Sequence, residues 1–96
     1  MLKTIKIPKT KMYRCRINED PEPAGDRMPT LGELQHFVGG YVEHVRLDVA
    51  NGEIHLFVNE DGVSIGLPVN DYVSQLYGRS IVGNVWMWLG ELPPDA

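Results

Sequence analysis

Apolar residues recur along this chain with two periods, and the change from one to the other marks the elements. Between Leu31 and Val38 the spacing is helical: Leu31, Leu34, Phe37 and Val38 share one side, and Glu33, Gln35 and His36 the other. Thr30 stands where an N-cap is needed, Glu33 three residues on can close a capping box, and Pro29 marks the boundary. Gly39 supplies a left-handed stop, Gly40 a second permissive position, and from Tyr41 the period becomes that of a strand.

Three strand-like runs follow, joined by turn signals. Asn51-Gly52 is the dipeptide preferred in a type I′ turn. With it as the tip, Ala50 pairs with Glu53, and Val49, Leu47 and Val45 stand opposite Ile54, Leu56 and Val58. Asp61-Gly62 predicts a second reversal that pairs Glu60 with Val63, Val58 with Ile65 and Leu56 with Leu67. Both turns place the aliphatic residues on one face, expected to lie beneath the helix, and a slip by one residue would scatter them. The other face collects His44, Arg46 and Asp48, then His55, Phe57 and Asn59, then Ser64 and Gly66, with Asp48 opposite His55 and His44 opposite Asn59.

Pro68 ends the third run, and Asn70 caps a second short helix with Val73, Leu76 and Tyr77 on one side and Gly78 as its stop. A last strand is predicted from Ile81 to Leu89. Ile81, Val85, Met87 and Leu89 share one of its faces and Val82, Asn84, Trp86 and Trp88 the other, so it belongs in the middle of a sheet or under cover on both sides. Gly83 within it marks a bulge or a close approach. At the other end, Leu2, Ile5 and Ile7 alternate with polar residues up to Pro8, and Met12 to Ile17 pairs with that run or extends it.

The whole is a single α+β domain with an antiparallel sheet of four to six strands and two short helices. It divides into an N-terminal strand region (1–17), a surface loop (18–29), a helix-meander-helix-strand core (30–90) and a frayed tail (91–96). The loop, rich in Pro, Gly and charge, reads first as a plain mobile connector and second as a lid or partner contact.

A chain of 96 residues with 43% hydrophobic content sustains one core and no second domain. The lone Cys15 closes no internal disulfide, no Cys/His spacing fits zinc, and neither a signal peptide nor a membrane span is expected, which places the chain in a reducing cytoplasm. A net charge of −4 opposes binding to nucleic-acid backbones. The basic cluster Lys3, Lys6, Lys9, Lys11, Arg14 and Arg16 reads first as a protected edge strand and second as an anion-facing strip.

No catalytic constellation is visible. Ser64, Ser74 and Ser80 stand in no nucleophile elbow, and Val38-Gly39-Gly40 follows a helix whereas a phosphate loop precedes one. Convergence of His36, His44 and His55 on a metal is disfavoured, as is an acid/base pair of Glu43 and Glu60; no cofactor and no metal are expected. The informative feature is aromatic: Phe57, Trp86 and Trp88 have the parity to share a sheet face with His44, Arg46, His55, Asn59 and Asn84. Left open, that face is a site for a planar ligand such as a nucleotide base, or an oligomer interface; covered by residues 2–17 or the long loop, it is a second core. Composition does not decide between these.

Leu34-Gln35, Val38-Gly39-Gly40-Tyr41-Val42-Glu43, Asn59-Glu60-Asp61-Gly62, Gly66-Leu67-Pro68-Val69-Asn70 and Ile81-Val82-Gly83 follow one another as in a family of small domains that this chain resembles over Leu31 to Val85. That family, of unknown function, occurs in bacteriophages and mobile elements; the resemblance implies such an origin and a place in the host bacterial cytoplasm, and transfers no catalytic residue. The expectation is a non-enzymatic accessory protein, a homo-oligomer, that captures a small ligand at the aromatic and polar sheet face, such as a nucleotide-like signal of host defence. The alternative is an interaction module that inhibits or redirects a host enzyme; an enzyme acting on a nucleotide ranks third.

Overall fold

The computed structural model describes residues 10–50 and 52–93. In chain order they form β1 (Met12–Cys15), β2 (Glu22–Pro23), α1 (Leu31–Val38), β3 (Val42–Val49), β4 (Gly52–Asn59), α2 (Asp71–Tyr77) and β5 (Val85–Leu89). The strands make one antiparallel sheet in the order β2-β1-β5-β4-β3, the α+β class expected. The strand predicted over residues 2–7 lies outside the described residues. Among the described residues, no helix is long and apolar enough to cross a membrane.

Helix α1 begins and ends for the reasons its sequence gives. Thr30 N–H donates to Glu33 Oε1 at 2.9 Å and Glu33 N–H to Thr30 Oγ1 at 3.1 Å, a closed capping box that contributes about 1 kcal/mol. Gly39, at φ 83°, ends it in the left-handed conformation. Leu34 and Val38 are buried, but Leu31, predicted to join them, is 63% exposed at the first turn.

The β3–β4 hairpin forms with its faces as predicted and its register moved by two residues. Val49 pairs with Gly52, Leu47 with Ile54 and Val45 with Leu56, where the Asn51-Gly52 tip had set Val49 against Ile54. An even shift keeps every side chain on its face, so the hydrophobic pattern that excludes a one-residue slip has no power against this one. Asp48 therefore faces Glu53, Arg46 faces His55 and His44 faces Phe57, in place of the predicted Asp48–His55 and His44–Asn59 pairs.

The third meander strand does not form. Residues 60–66 are turns, Ile65 N–H donates to Asp61 O at 3.0 Å, and Val63 and Ile65 are 80% and 60% exposed. The second neighbour of β4 is β5, with Ile54 against Leu89, Leu56 against Met87 and Phe57 against Trp86. The run 63–67 has Ser64 and Gly66 on one face and offers nothing to set beside Phe57, whereas β5 is apolar on both faces. The predicted last strand is accordingly shorter: β5 starts at Val85, while Val82 makes an isolated bridge to Val69. Gly83 has φ 81°, and a Cβ there would come within 2.8 Å of Leu67 Cδ1, so the close approach is made by a side chain.

Two cores lie on the two faces of the sheet, and the helices take them in the opposite sense to expectation. Leu34 and Val38 of α1 cover Met12, Phe57, Trp86 and Trp88; Val73 of α2 joins Cys15, Leu56, Val58, Val85 and Met87 on the aliphatic side. Leaving a large apolar side chain in water costs about 1.5–3 kcal/mol, so the helix with the broader apolar stripe goes to the aromatic face. The 18–29 loop helps cover it. Met12 N–H donates to Gly25 O, Ala24 N–H to Met12 O and Lys11 N–H to Asp26 Oδ1, at 2.7–2.9 Å, which fixes Ala24 and Met28 against the aromatic layer. The segment is thus a tethered border and not a plain connector. The expected fraying from Glu91 does not begin there either, since Trp88 Nε1–H donates to Glu91 O at 3.0 Å and Leu92 joins the same layer.

Asn70 ties three elements together from a buried position. Its Nδ2 donates to Cys15 O at 2.8 Å and to Gly83 O at 2.9 Å, while its Oδ1 caps α2 at the Val73 N–H. Asn70→Ala strands two buried carbonyls and removes a cap, and is expected to lower unfolding free energy by roughly 3 kcal/mol in urea denaturation. A loss under about 1 kcal/mol would show that solvent or relaxation satisfies those carbonyls.

Candidate functional site

Of the eight residues singled out on the mixed face, the seven that lie on strands share one parity and Asn84 lies outside β5; they serve different ends. The cross-strand pairs Arg46–His55, His44–Phe57, His55–Trp88 and Phe57–Trp86 put six of them in one contiguous patch. Trp88 and Trp86 are buried under α1, with Phe37 tilted against Trp86 at 5.0 Å between ring centres and the Arg14 guanidinium 5.9 Å from the Trp86 ring centre. Asn59 donates through Nδ2 to Val38 O at 3.0 Å and accepts from Asp61 N–H at 2.8 Å, holding the end of α1 against the turn. Asn84 accepts from Ile17 N–H at 3.1 Å. The face is therefore not an open patch: α1 closes most of it, aided by the long loop that had been considered as a cover.

What stays open is the corner where α1 begins. A cleft of about 840 Å³ is lined by residues 26–31, Leu34, His44, Phe57, Leu92 and Pro93. Leu31, held at the cleft by the capping box, explains its own exposure. Its walls are chiefly apolar, and Asp26, Arg27 and His44 supply charge and hydrogen bonds. Met28, Leu31, Leu92 and Pro93 were not anticipated as lining; the one signal for them was an apolar residue in the first helical turn facing no predicted partner.

His44 ends a polar chain that the two-residue register shift creates. Its Nε2 is 2.7 Å from His55 Nδ1, the two imidazoles meeting edge to edge with their centres 4.9 Å apart, and its ring is stacked on Phe57 at 5.1 Å between centres. His55, only 4% exposed, has its Nε2 3.1 Å from Glu53 Oε2, close but off the line of an aligned N–H bond. Arg46 bridges Glu53 at 3.0 Å and Asp48 at 2.9 Å. Glu53 escaped notice because the predicted register set it against Ala50. Burial, with His55 and Arg46 close by, holds His44 below the usual imidazole value.

Other reactive groups are spent on structure. Burial pushes the Cys15 thiol up to about 11, leaving no thiolate at neutral pH, and Ser74 Oγ is bonded to both Ile81 O and Ile81 N–H. Among the described residues no three His, Cys, Asp or Glu are grouped to hold a metal ion. His36, on α1, bonds to neither member of the histidine pair.

Fold and site together define a small α+β domain whose sheet carries a helix on each face and an apolar cleft at the start of the first. The chain belongs to a family described as a domain of unknown function, DUF3846, whose model matches residues 6–90. The match is wider than the Leu31–Val85 stretch carrying the motifs, and takes in β1 and β5. No curated protein and no solved structure matches it.

Because His44 is depressed in the folded protein, the unfolded chain binds more protons below the ordinary imidazole range. Its contribution is complete above about pH 6.5 and is lost as pH falls through the folded value. The wild type should thus lose more stability than His44→Gln when melting is followed from neutral to mildly acid pH. Parallel curves for the two proteins would contradict this.

Proposed function

We propose that this protein is a binding module that captures a small, planar, partly apolar ligand in the cleft over His44 and Phe57. The observation that carries the reading is a cleft with aliphatic walls, a stacked pair of rings and few polar groups, the usual make-up of a site that orients a ring system. Nucleosides and nucleotides fit that description. Of the eight residues first considered, His44 and Phe57 line the cleft, His55 and Arg46 support them, and Trp86, Trp88, Asn59 and Asn84 hold the scaffold. Burial of the Cys15 thiol and commitment of Ser74 favour binding over turnover. The setting we infer, on the strength of the motif pattern alone, is a bacteriophage or mobile element acting in a host cytoplasm; a nucleotide-like signal of host defence is one ligand of the class the cleft suits.

A second reading has its own observation. Val63, Ile65, Val69, Tyr72 and Leu76 are all exposed on the stretch that includes α2, an apolar excess that suits contact with another protein, whether a host enzyme or a second copy of this chain.

A panel of nucleosides and nucleotides screened by thermal shift tests the first reading. At least one should raise the melting temperature, and Leu31→Glu, which puts a charge in the cleft at an exposed position, should abolish the shift without lowering the melting temperature of the free protein. No shift across the panel, or shifts that Leu31→Glu leaves unchanged, would remove the cleft as the site.

A further inference from the structure

The cleft holds one side chain whose hydrogen-bonding sense is set from behind. His55 is buried with its Nε2 3.1 Å from the Glu53 carboxylate, off the line of an aligned bond; so close to a negative charge the nitrogen is favoured as N–H over a bare lone pair, which puts the proton on Nε2. The neutral His55 then has a bare Nδ1. At 2.7 Å from it, His44 Nε2 must be the donor. His44 has one nitrogen left: Nδ1, on an exposed ring lining the cleft, making no hydrogen bond within the described residues.

Resting on the cleft as the binding site, we propose that Glu53 and His55 fix His44 as a hydrogen-bond acceptor toward the cleft, and that the ligand is a neutral heterocycle presenting an imide or amide N–H. The edge of a uracil or guanine ring is of this class; a phosphate or carboxylate, which only accepts, is not matched by this nitrogen at neutral pH. One proton reverses the arrangement. It enters at His44 Nδ1, the His44–His55 hydrogen bond is kept, and the nitrogen facing the cleft becomes a donor.

The charged groups around this switch are Glu53 behind His55, Arg46 and Asp48 beside it on β3, and Asp26 and Arg27 across the cleft. Asp48 and Glu53 are paired with Arg46, and Arg27 is 3.8 Å from Glu33, so Asp26 is the anion that would draw a proton toward His44 from the cleft side. Its carboxylate is itself engaged by the Lys11 N–H. The neutral acceptor form accordingly prevails near pH 7, in keeping with the depressed His44.

Two measurements on the whole protein test this. Long-range proton–nitrogen NMR of the histidine rings should show both His44 and His55 as the Nε2–H form at neutral pH, with a single proton taken up at His44 Nδ1 on acidification. In His55→Phe, or in Glu53→Gln should that variant not fold, His44 should show mixed tautomers. Calorimetry should find uridine and guanosine binding about tenfold more tightly than 3-methyluridine and 1-methylguanosine, the cost of a lost hydrogen bond to a site group. That preference should hold above about pH 6.5 and fade as pH falls below it and the imidazole charges. A His44 found as the Nδ1–H form, or nucleosides bound equally with and without the N–H, overturns the inference and leaves cleft binding standing. No nucleoside binding at any pH, with the tautomers as stated, overturns the ligand class together with the cleft.

Discussion

Burial of Trp86 and Trp88 beneath α1 is the interaction on which the rest of this structure depends. The two rings stand on β5, the strand at the centre of the sheet, and each finds an apolar partner on a neighbouring strand: Phe57 beside Trp86, and Met12 beside Trp88. Large aromatic surfaces bury more area than any turn or cap can offset, so the strand that bears them takes the central place and recruits the helix with the widest apolar stripe. The aliphatic face is left to α2, whose single fully buried contact is Val73.

Closing that face also creates the cleft. Helix α1 is only eight residues long and cannot roof the whole of it, so the sheet remains accessible where the helix starts. There Leu31 has no core to enter and lines a wall, His44 and Phe57 form the floor, and the tethered 26–29 segment and Leu92-Pro93 complete the rim. The candidate site is thus a remainder of packing, and its polar chemistry is set by a strand register that brings His44 and Arg46 of β3 beside Glu53 and His55 of β4.

Local features were legible in the sequence because their causes are local. Thr30, Glu33 and Gly39 bound α1, Asn70 and Gly78 bound α2, and the alternation in residues 42–49 and 54–59 set the two sheet faces with the right members. The failures are non-local. Asp61-Gly62 is a strong turn signal, yet it starts a run of turns and no hairpin, because a turn dipeptide carries no information about which strand is the better neighbour for Phe57. The Asn51-Gly52 tip fixed parity but not register, since a two-residue shift preserves both faces. Which helix covers which face depends on comparing buried areas across the whole domain, and the motif pattern of a family without known function added nothing on that point.

Tryptophan fluorescence with acrylamide quenching tests the central claim most directly, since the chain has two tryptophans and both lie in the covered layer. The native protein should emit well to the blue of the urea-unfolded chain and resist quenching, and Val38→Asp, which drives a charge between α1 and the sheet, should shift the emission to the red. A native spectrum as red and as easily quenched as that of the unfolded chain would mean that the aromatic face is open to water. In that event α1 packs elsewhere, and the cleft as described does not exist.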